Sequence, residues 1–188
     1  MAQKIAKKAK AVAKKAVAAV KNAVSKPKPV SIPIYRYWQP QSNDHFYTTN
    51  VDEIGTSVQG KVGKYGYHAE GIAGHCSKDK FEGAIPMYRY YSPGSKDHFY
   101  TTNAGEIGTT QAGATGKYGY KSEGILCYVW PAQASYKEGK LVPLYRYWKA
   151  AVSDHFYTVN ANEIGTVQNQ ATGKYGYKSE GIAAWIMK

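Results

Sequence analysis

Apolar and polar positions keep two different rhythms along this chain. Over residues 2–24, AQKIAKKAKAVAKKAVAAVKNAV, the rhythm is helical. Wound at about 100° per residue, Lys4, Lys7, Lys8, Lys10, Lys14, Lys15 and Lys21 share one side, and Ile5, Val12, Val17, Val20 and Val24 share the other. Alanine and lysine are strong helix formers, so an amphipathic helix is predicted wherever a surface accepts the narrow valine stripe. Ser25-Lys-Pro-Lys-Pro-Val30 ends it, because proline lacks the amide donor and restricts the residue before it. Residues 1–28 thus read as a helical arm with a stiff linker.

Beyond residue 29 the apolar runs are short and broken by turn residues. Ile34–Trp38 and Phe46–Thr49 have strand composition, and Gln39-Pro-Gln-Ser-Asn-Asp44 between them reads as a turn. Asn50-Val-Asp-Glu53 has the spacing of a capping box, which predicts one short helical turn. Lys64–Tyr67 and Gly71–Cys76 again read as strands.

This pattern occurs three times. Tyr35-Arg-Tyr-Trp38 returns as Tyr88–Tyr91 and Tyr145–Trp148, and Asp44-His-Phe-Tyr-Thr48 as Asp97–Thr101 and Asp154–Thr158. Glu53-Ile-Gly-Thr56, Lys64-Tyr-Gly-Tyr67 and Glu70-Gly-Ile72 recur in step with them, offset by 53 residues and then by a further 57. Spacing inside a unit is therefore constant, and the extra residues fall between units, at Trp130–Lys140. Three units, at about 32–84, 85–141 and 142–188, make one β domain over 29–188. An open stack would need polar terminal caps, whereas closure removes free edges. The predicted fold is all-β: a pseudo-threefold closed β-trefoil-like barrel first, a three-bladed propeller-like disc second.

Charge separates arm from body. Nine lysines lie in residues 1–28 and the first acidic residue is Asp44, so the formal +12 leaves +3 for the rest. A nearly neutral body with a basic arm predicts that residues 1–28 dock on protein, nucleic acid or anionic lipid, rather than that the whole domain binds nucleic acid. Lysines interrupt the apolar stretch too often for a transmembrane segment or a secretory signal, which leaves particle association or a non-standard export route as readings of its location. Cys76 and Cys127 stand alone; two small buried thiols are the favoured reading and a disulfide the other.

Fifteen of the 18 tyrosines are the same five positions taken three times. A small domain poor in Leu, Ile and Val builds its core from what it has, so most of these rings are expected inside, with hydroxyls reaching partners. The candidate ligand contacts are Arg36, Arg89 and Arg146 as donors, Trp38, Tyr91 and Trp148 as aromatic surfaces, and the pairs Asp44-His45, Asp97-His98 and Asp154-His155. Three symmetric histidines could meet on an axis around a metal ion, but an Asp closing a turn and a His against an aromatic neighbour are the commoner uses. Glu70, Glu123 and Glu180 are expected to pair with the three arginines. No residue breaks the symmetry as an active site would, and no nucleophile, phosphate loop, metal motif or cofactor motif emerges. The chain reads as a binding protein, not an enzyme.

The linked blocks Tyr-Arg-Tyr, Asp-His-Phe-Tyr-Thr-Thr-Asn, Asn-x-x-Glu and Gly-Tyr-x-x-Glu-Gly-Ile resemble a tyrosine-rich repeat family of unknown function, over about residues 32–188. That repeat often comes three in a row, attached to secreted hydrolases, peptidases and lectin-like chains. The resemblance implies an accessory module recognising carbohydrate or cell wall. The lysine arm is not part of it. Two expectations follow: a carbohydrate-binding module tethered by its arm to a larger assembly, or a structural component of a large complex or virus-like particle.

Overall fold

The computed structural model describes residues 27–132 and 139–188, and these form an all-β body. The predicted helix over residues 2–24, with its lysine contacts, lies outside the described residues. No helix among the described residues is long and apolar enough to cross a membrane.

Each unit is a three-stranded antiparallel sheet. In the first, β1 (Ser31–Gln39) lies between β2 (Asp44–Thr48) and β3 (His68–Ser77). The second unit holds β4 (Ile85–Ser92), β5 (Asp97–Thr101) and β6 (Lys121–Val129). The third holds β7 (Leu141–Lys149), β8 (Asp154–Thr158) and β9 (Lys178–Met187).

Two bulges recur in every unit. Along β3, Ala73 and Glu70 fall between the residues that oppose β1, since Ile34 faces Gly74, Tyr35 faces Ile72, Arg36 faces Gly71 and Tyr37 faces Ala69. Gly71 and its counterparts Gly124 and Gly181 have φ of +104°, +91° and +88°, which glycine adopts freely. The Glu-Gly-Ile block is therefore a bulge signature. It swings Glu70 off the pleat and towards Arg36 of the neighbouring strand.

The closed barrel is not what forms. The strands make one open sheet in the order β5-β4-β6-β3-β9-β7-β8, with β1 and β2 branching from β3. Nor are the units separate blades, because β3 bonds to β6 at Ser77↔Tyr128 and to β9 at His75↔Met187, and Trp130 bridges to Trp185. Closure was expected in order to remove bare edges, and side chains remove them instead. β2, β5 and β8, every residue of them buried, meet around the pseudo-threefold axis. There the outward N–H of His45 bonds to a carboxylate, and the N–H and C=O of Tyr47 bond to one tyrosine hydroxyl. An edge capped in this way needs no neighbouring strand.

The axial core draws on all three units, including Ile34, Tyr47, Met87, Tyr100, Leu144 and Tyr157. Each unit adds its own cluster: Tyr37, Phe46, Ile54 and Ala69 in the first, with Tyr90, Phe99 and Ile107, and Tyr147, Phe156 and Ile164, in the others. Cys76 and Cys127 form a disulfide with Cα atoms 6.2 Å apart, which corrects the expectation of two thiols. The pair joins β3 to β6 where their ends converge. At the equivalent places the other units put Val129 by Ala184 and Ile186 by Gly74; a Cβ on Gly74 would come within 2.5 Å of the Ile186 side chain.

Two further local expectations change. The helical turn at Val51–Glu53 is a 3-10 turn capped by Asn50, whose side chain accepts from the Asp52 amide. Glu53 does not close a capping box. It accepts instead from the Thr48 hydroxyl and from Arg89 of the next unit. Lys64–Gly66, read as strand, is a tight left-handed turn closed by the Tyr67 N–H on the Lys64 carbonyl at 3.2 Å, because Tyr65 and Gly66 both adopt positive φ and cannot continue an extended chain.

Candidate functional site

Asp44, Asp97 and Asp154 stand at the head of β2, β5 and β8 and are fully buried, with one carboxylate oxygen of each within 4.8 Å of the other two. Each spans two units. Asp44 accepts from the His98 backbone N–H at 2.9 Å, from His98 Nδ1 at 2.7 Å and from the Tyr67 hydroxyl at 2.6 Å. Asp97 does the same for His155 and Tyr120, and Asp154 for His45 and Tyr177. An ionised aspartate requires the proton on Nδ1 of each imidazole. Each aspartate thus bonds the backbone and imidazole of a histidine in another unit, rather than capping local amides as expected. With three donors on every carboxylate, the arrangement is a hydrogen-bond hub, and the aspartates line none of the three inter-unit clefts described below.

Below the hub lie three tyrosines whose rings pack edge to face at 5.3–5.4 Å. The hydroxyl of Tyr47 donates to the Tyr157 carbonyl and accepts from the Tyr157 N–H, at 2.7 and 2.8 Å. Tyr157 does this to Tyr100, and Tyr100 to Tyr47. Full burial pushes the pKa of all three hydroxyls well above the ordinary value of 10.

The open space lies between units. One cleft, of about 340 Å3, is walled by Phe46, Glu53, Ile54, Tyr65 and Tyr67 of the first unit and by Arg89, Tyr91, His98 and Glu123 of the second. Its counterpart between the third and first units, about 240 Å3, uses Arg36, His45 and Glu70 against Phe156, Glu163 and Tyr175. The remaining one, about 170 Å3, uses Arg146, His155 and Glu180 against Phe99, Glu106 and Tyr118.

In every cleft the arginine is held on two sides. Nε of Arg89 pairs with Glu123 of its own unit at 2.7 Å, while Nη1 and Nη2 make a fork on Glu53 of the preceding unit at 3.0 and 2.8 Å. The guanidinium also lies 5.1 Å from the centre of the Phe46 ring. Arg36 is bound in this manner by Glu70, Glu163 and Phe156, and Arg146 by Glu180, Glu106 and Phe99. The expected pairing with Glu70, Glu123 and Glu180 is therefore present. Trp38, Tyr91 and Trp148 lie against the imidazoles of His45, His98 and His155, ring centres 4.3–4.5 Å apart. Among the described residues, Tyr91 alone of these three lines a cleft.

Burial pushes the Glu53 carboxyl up, but hydrogen bonds from Arg89 and Thr48 outweigh it and hold the pKa below its ordinary 4.5. Glu106 and Glu163 are lowered for the same reasons. In the unfolded chain these carboxyls take up protons at higher pH than in the folded one, so their contribution is present above about pH 4.5 and is lost as pH falls through the depressed values. The raised tyrosine hydroxyls work at the other end: their contribution is complete below pH 10 and fades above it. Thermal unfolding followed across pH should show a plateau between these limits and a fall on both sides. Replacing Glu53, Glu106 and Glu163 together by glutamine should flatten the acid limb alone; an acid limb left unchanged would remove this explanation.

One set of residues escaped the sequence reading. Tyr65, Tyr118 and Tyr175 each have φ of +58°, a left-handed backbone that bulky side chains avoid, and each is 73–82% exposed at the lip of its cleft. The signal available was the Lys-Tyr-Gly-Tyr block, whose glycine admits a turn; which tyrosine stands out from the surface depends on the turn geometry.

The sequence profile of a family described as a domain of unknown function, DUF5648, matches residues 4–130 and again residues 33–187. The chain belongs to that family. Two overlapping matches fit a chain whose units repeat. No match is found among curated proteins or among solved structures.

Proposed function

We propose that this DUF5648 protein is a non-catalytic carbohydrate-binding module with three pseudo-equivalent sites, one in each inter-unit cleft. The observation that carries this reading is the exposed left-handed tyrosine, present three times. A non-glycine residue in that region costs about 1–3 kcal/mol, and such strain persists where the surroundings or a function demand it. Here the ring contributes little to burial, so the core is not the reason. Standing at the lip, it offers a flat face on which a sugar ring can lie. The carboxylates and imidazole behind it supply hydrogen-bond partners for hydroxyl groups. The arginine fork leaves each carboxylate tied in place, which suits recognition more than proton transfer. Three weak sites on one rigid body would gain affinity by engaging a polymer together. A disulfide suits an oxidising setting, where glycans are met.

The test is a glycan array probed with the full chain and with a variant carrying Tyr65→Asn, Tyr118→Asn and Tyr175→Asn. Asparagine tolerates the left-handed backbone, so the variant should unfold at an unchanged temperature while losing binding at least tenfold. No hit at high ligand density, or undiminished binding by the variant, would abandon the reading. The second reading, a structural component of a large complex or particle, rests on the nine lysines of residues 1–28 set against a body of +3. Removing those residues separates the two: glycan binding should survive, whereas an assembly protein would fail to enter its complex.

A further inference from the structure

We infer that the three clefts prefer saccharides bearing a protonated amino group over their neutral, N-acetylated forms. The inference rests on the saccharide reading above and adds the ligand's charge. Each cleft is lined by one arginine and two glutamates, a balance of −1 among its lining side chains when the histidine is neutral. The arginine does not offset this for a ligand. Its Nε, Nη1 and Nη2 are all turned onto carboxylates, and its face lies over a phenylalanine, so it presents no free fork to an anion.

The carboxylates are less fully used. Only Oε2 of Glu70 is drawn to Arg36, at 2.9 Å, and Glu123 and Glu180 hold their arginines in the same one-sided way. These side chains are 27–32% exposed, so each can still accept from a donor entering the cleft. One exposed aromatic ring stands at the lip beside them, Tyr65, Tyr118 or Tyr175. An ammonium group between that ring and a carboxylate gains cation–π attraction and a charge-assisted hydrogen bond at once. An acetamide in the same place keeps one N–H for the carboxylate but carries no charge, so it loses the ion pair and the cation–π attraction, and a uronate would be repelled by both glutamates.

The measurement is a calorimetric titration of the full chain with amino-sugar trimers of gluco and galacto configuration, each beside its N-acetylated counterpart. At pH about 6 the amine is protonated, and at least one free-amine trimer should bind about tenfold or more tightly than its acetylated partner. At pH about 9, with the amine largely neutral, that advantage should shrink towards one. A variant carrying Glu70→Gln, Glu123→Gln and Glu180→Gln keeps the shape of the cleft and should lose the preference at the lower pH. Equal or tighter binding of the acetylated trimers would overturn the inference and leave the saccharide reading intact. Failure of every trimer to bind would also overturn the inference, while the saccharide reading is decided by the glycan array. The unmodified chain is enough to decide between these outcomes, so a poorly folding variant would not blunt the test.

Discussion

Replacing Asp97 by alanine should destabilise the domain by about 3–6 kcal/mol, a large share of the 5–15 kcal/mol by which domains of this kind are stable. The carboxylate is fully buried and accepts from the His155 backbone N–H at 2.8 Å, from His155 Nδ1 at 2.6 Å and from the Tyr120 hydroxyl. Its removal strands three buried donors at once, and each stranded group costs about 1–3 kcal/mol. Because Tyr120 belongs to the second unit and His155 to the third, the loss also loosens the join between units. Asp44→Ala and Asp154→Ala should cost similar amounts, since the hub treats the three alike. Urea titration measures the effect; a loss under about 1 kcal/mol would mean that the hub contributes nothing the fold needs.

Tyr100→Phe removes one oxygen atom and should cost about 2–4 kcal/mol. That oxygen accepts from the Tyr47 N–H at 2.7 Å and donates to the Tyr47 carbonyl at 2.9 Å, so its loss exposes no surface but leaves both backbone groups buried and unpaired. Tyr37→Phe is the informative comparison. Its ring is as deeply buried, yet its hydroxyl makes a single bond, to the Thr56 carbonyl at 2.8 Å in a partly buried place. That change should cost about 0.5–1.5 kcal/mol. If the two substitutions prove equal, tyrosine hydroxyls are not what caps the edges of β2, β5 and β8, and another reason for the open sheet would be needed.

Both expectations come from a design in which side chains take over the task of strand pairing. The five-residue segment Asp-His-Phe-Tyr-Thr supplies every part of it. Its Asp receives the next unit's His, its Phe supports the next unit's Arg, its Thr donates to the Glu that holds the same Arg, and its Tyr hydroxyl serves the backbone of the Tyr in the remaining unit. A single unit could satisfy none of these bonds between units by itself. The clefts are a product of the same interlock, since one wall comes from each of two units. The cleft between the third unit and the first therefore depends on the ends of the domain coming together.

What the chain alone determined was periodic and local. Constant spacing inside the units established three copies of one β-rich module, the scarcity of Leu, Ile and Val pointed to repeated tyrosines such as Tyr37 as core, and Glu70 could be matched to Arg36 because both lie within one unit. What tertiary structure decided was everything that crosses between units. Repetition makes the partner of His45 formally ambiguous: Asp44, Asp97 and Asp154 look the same in sequence, and only the rotation between units selects Asp154. Cys76 and Cys127 occupy different positions in their repeats, so their meeting depends on how β3 and β6 converge. The open sheet has the same origin. Backbone edges must be satisfied, but whether a strand or a hydroxyl does so depends on which atoms are brought within about 3 Å, and that distance belongs to the packed molecule.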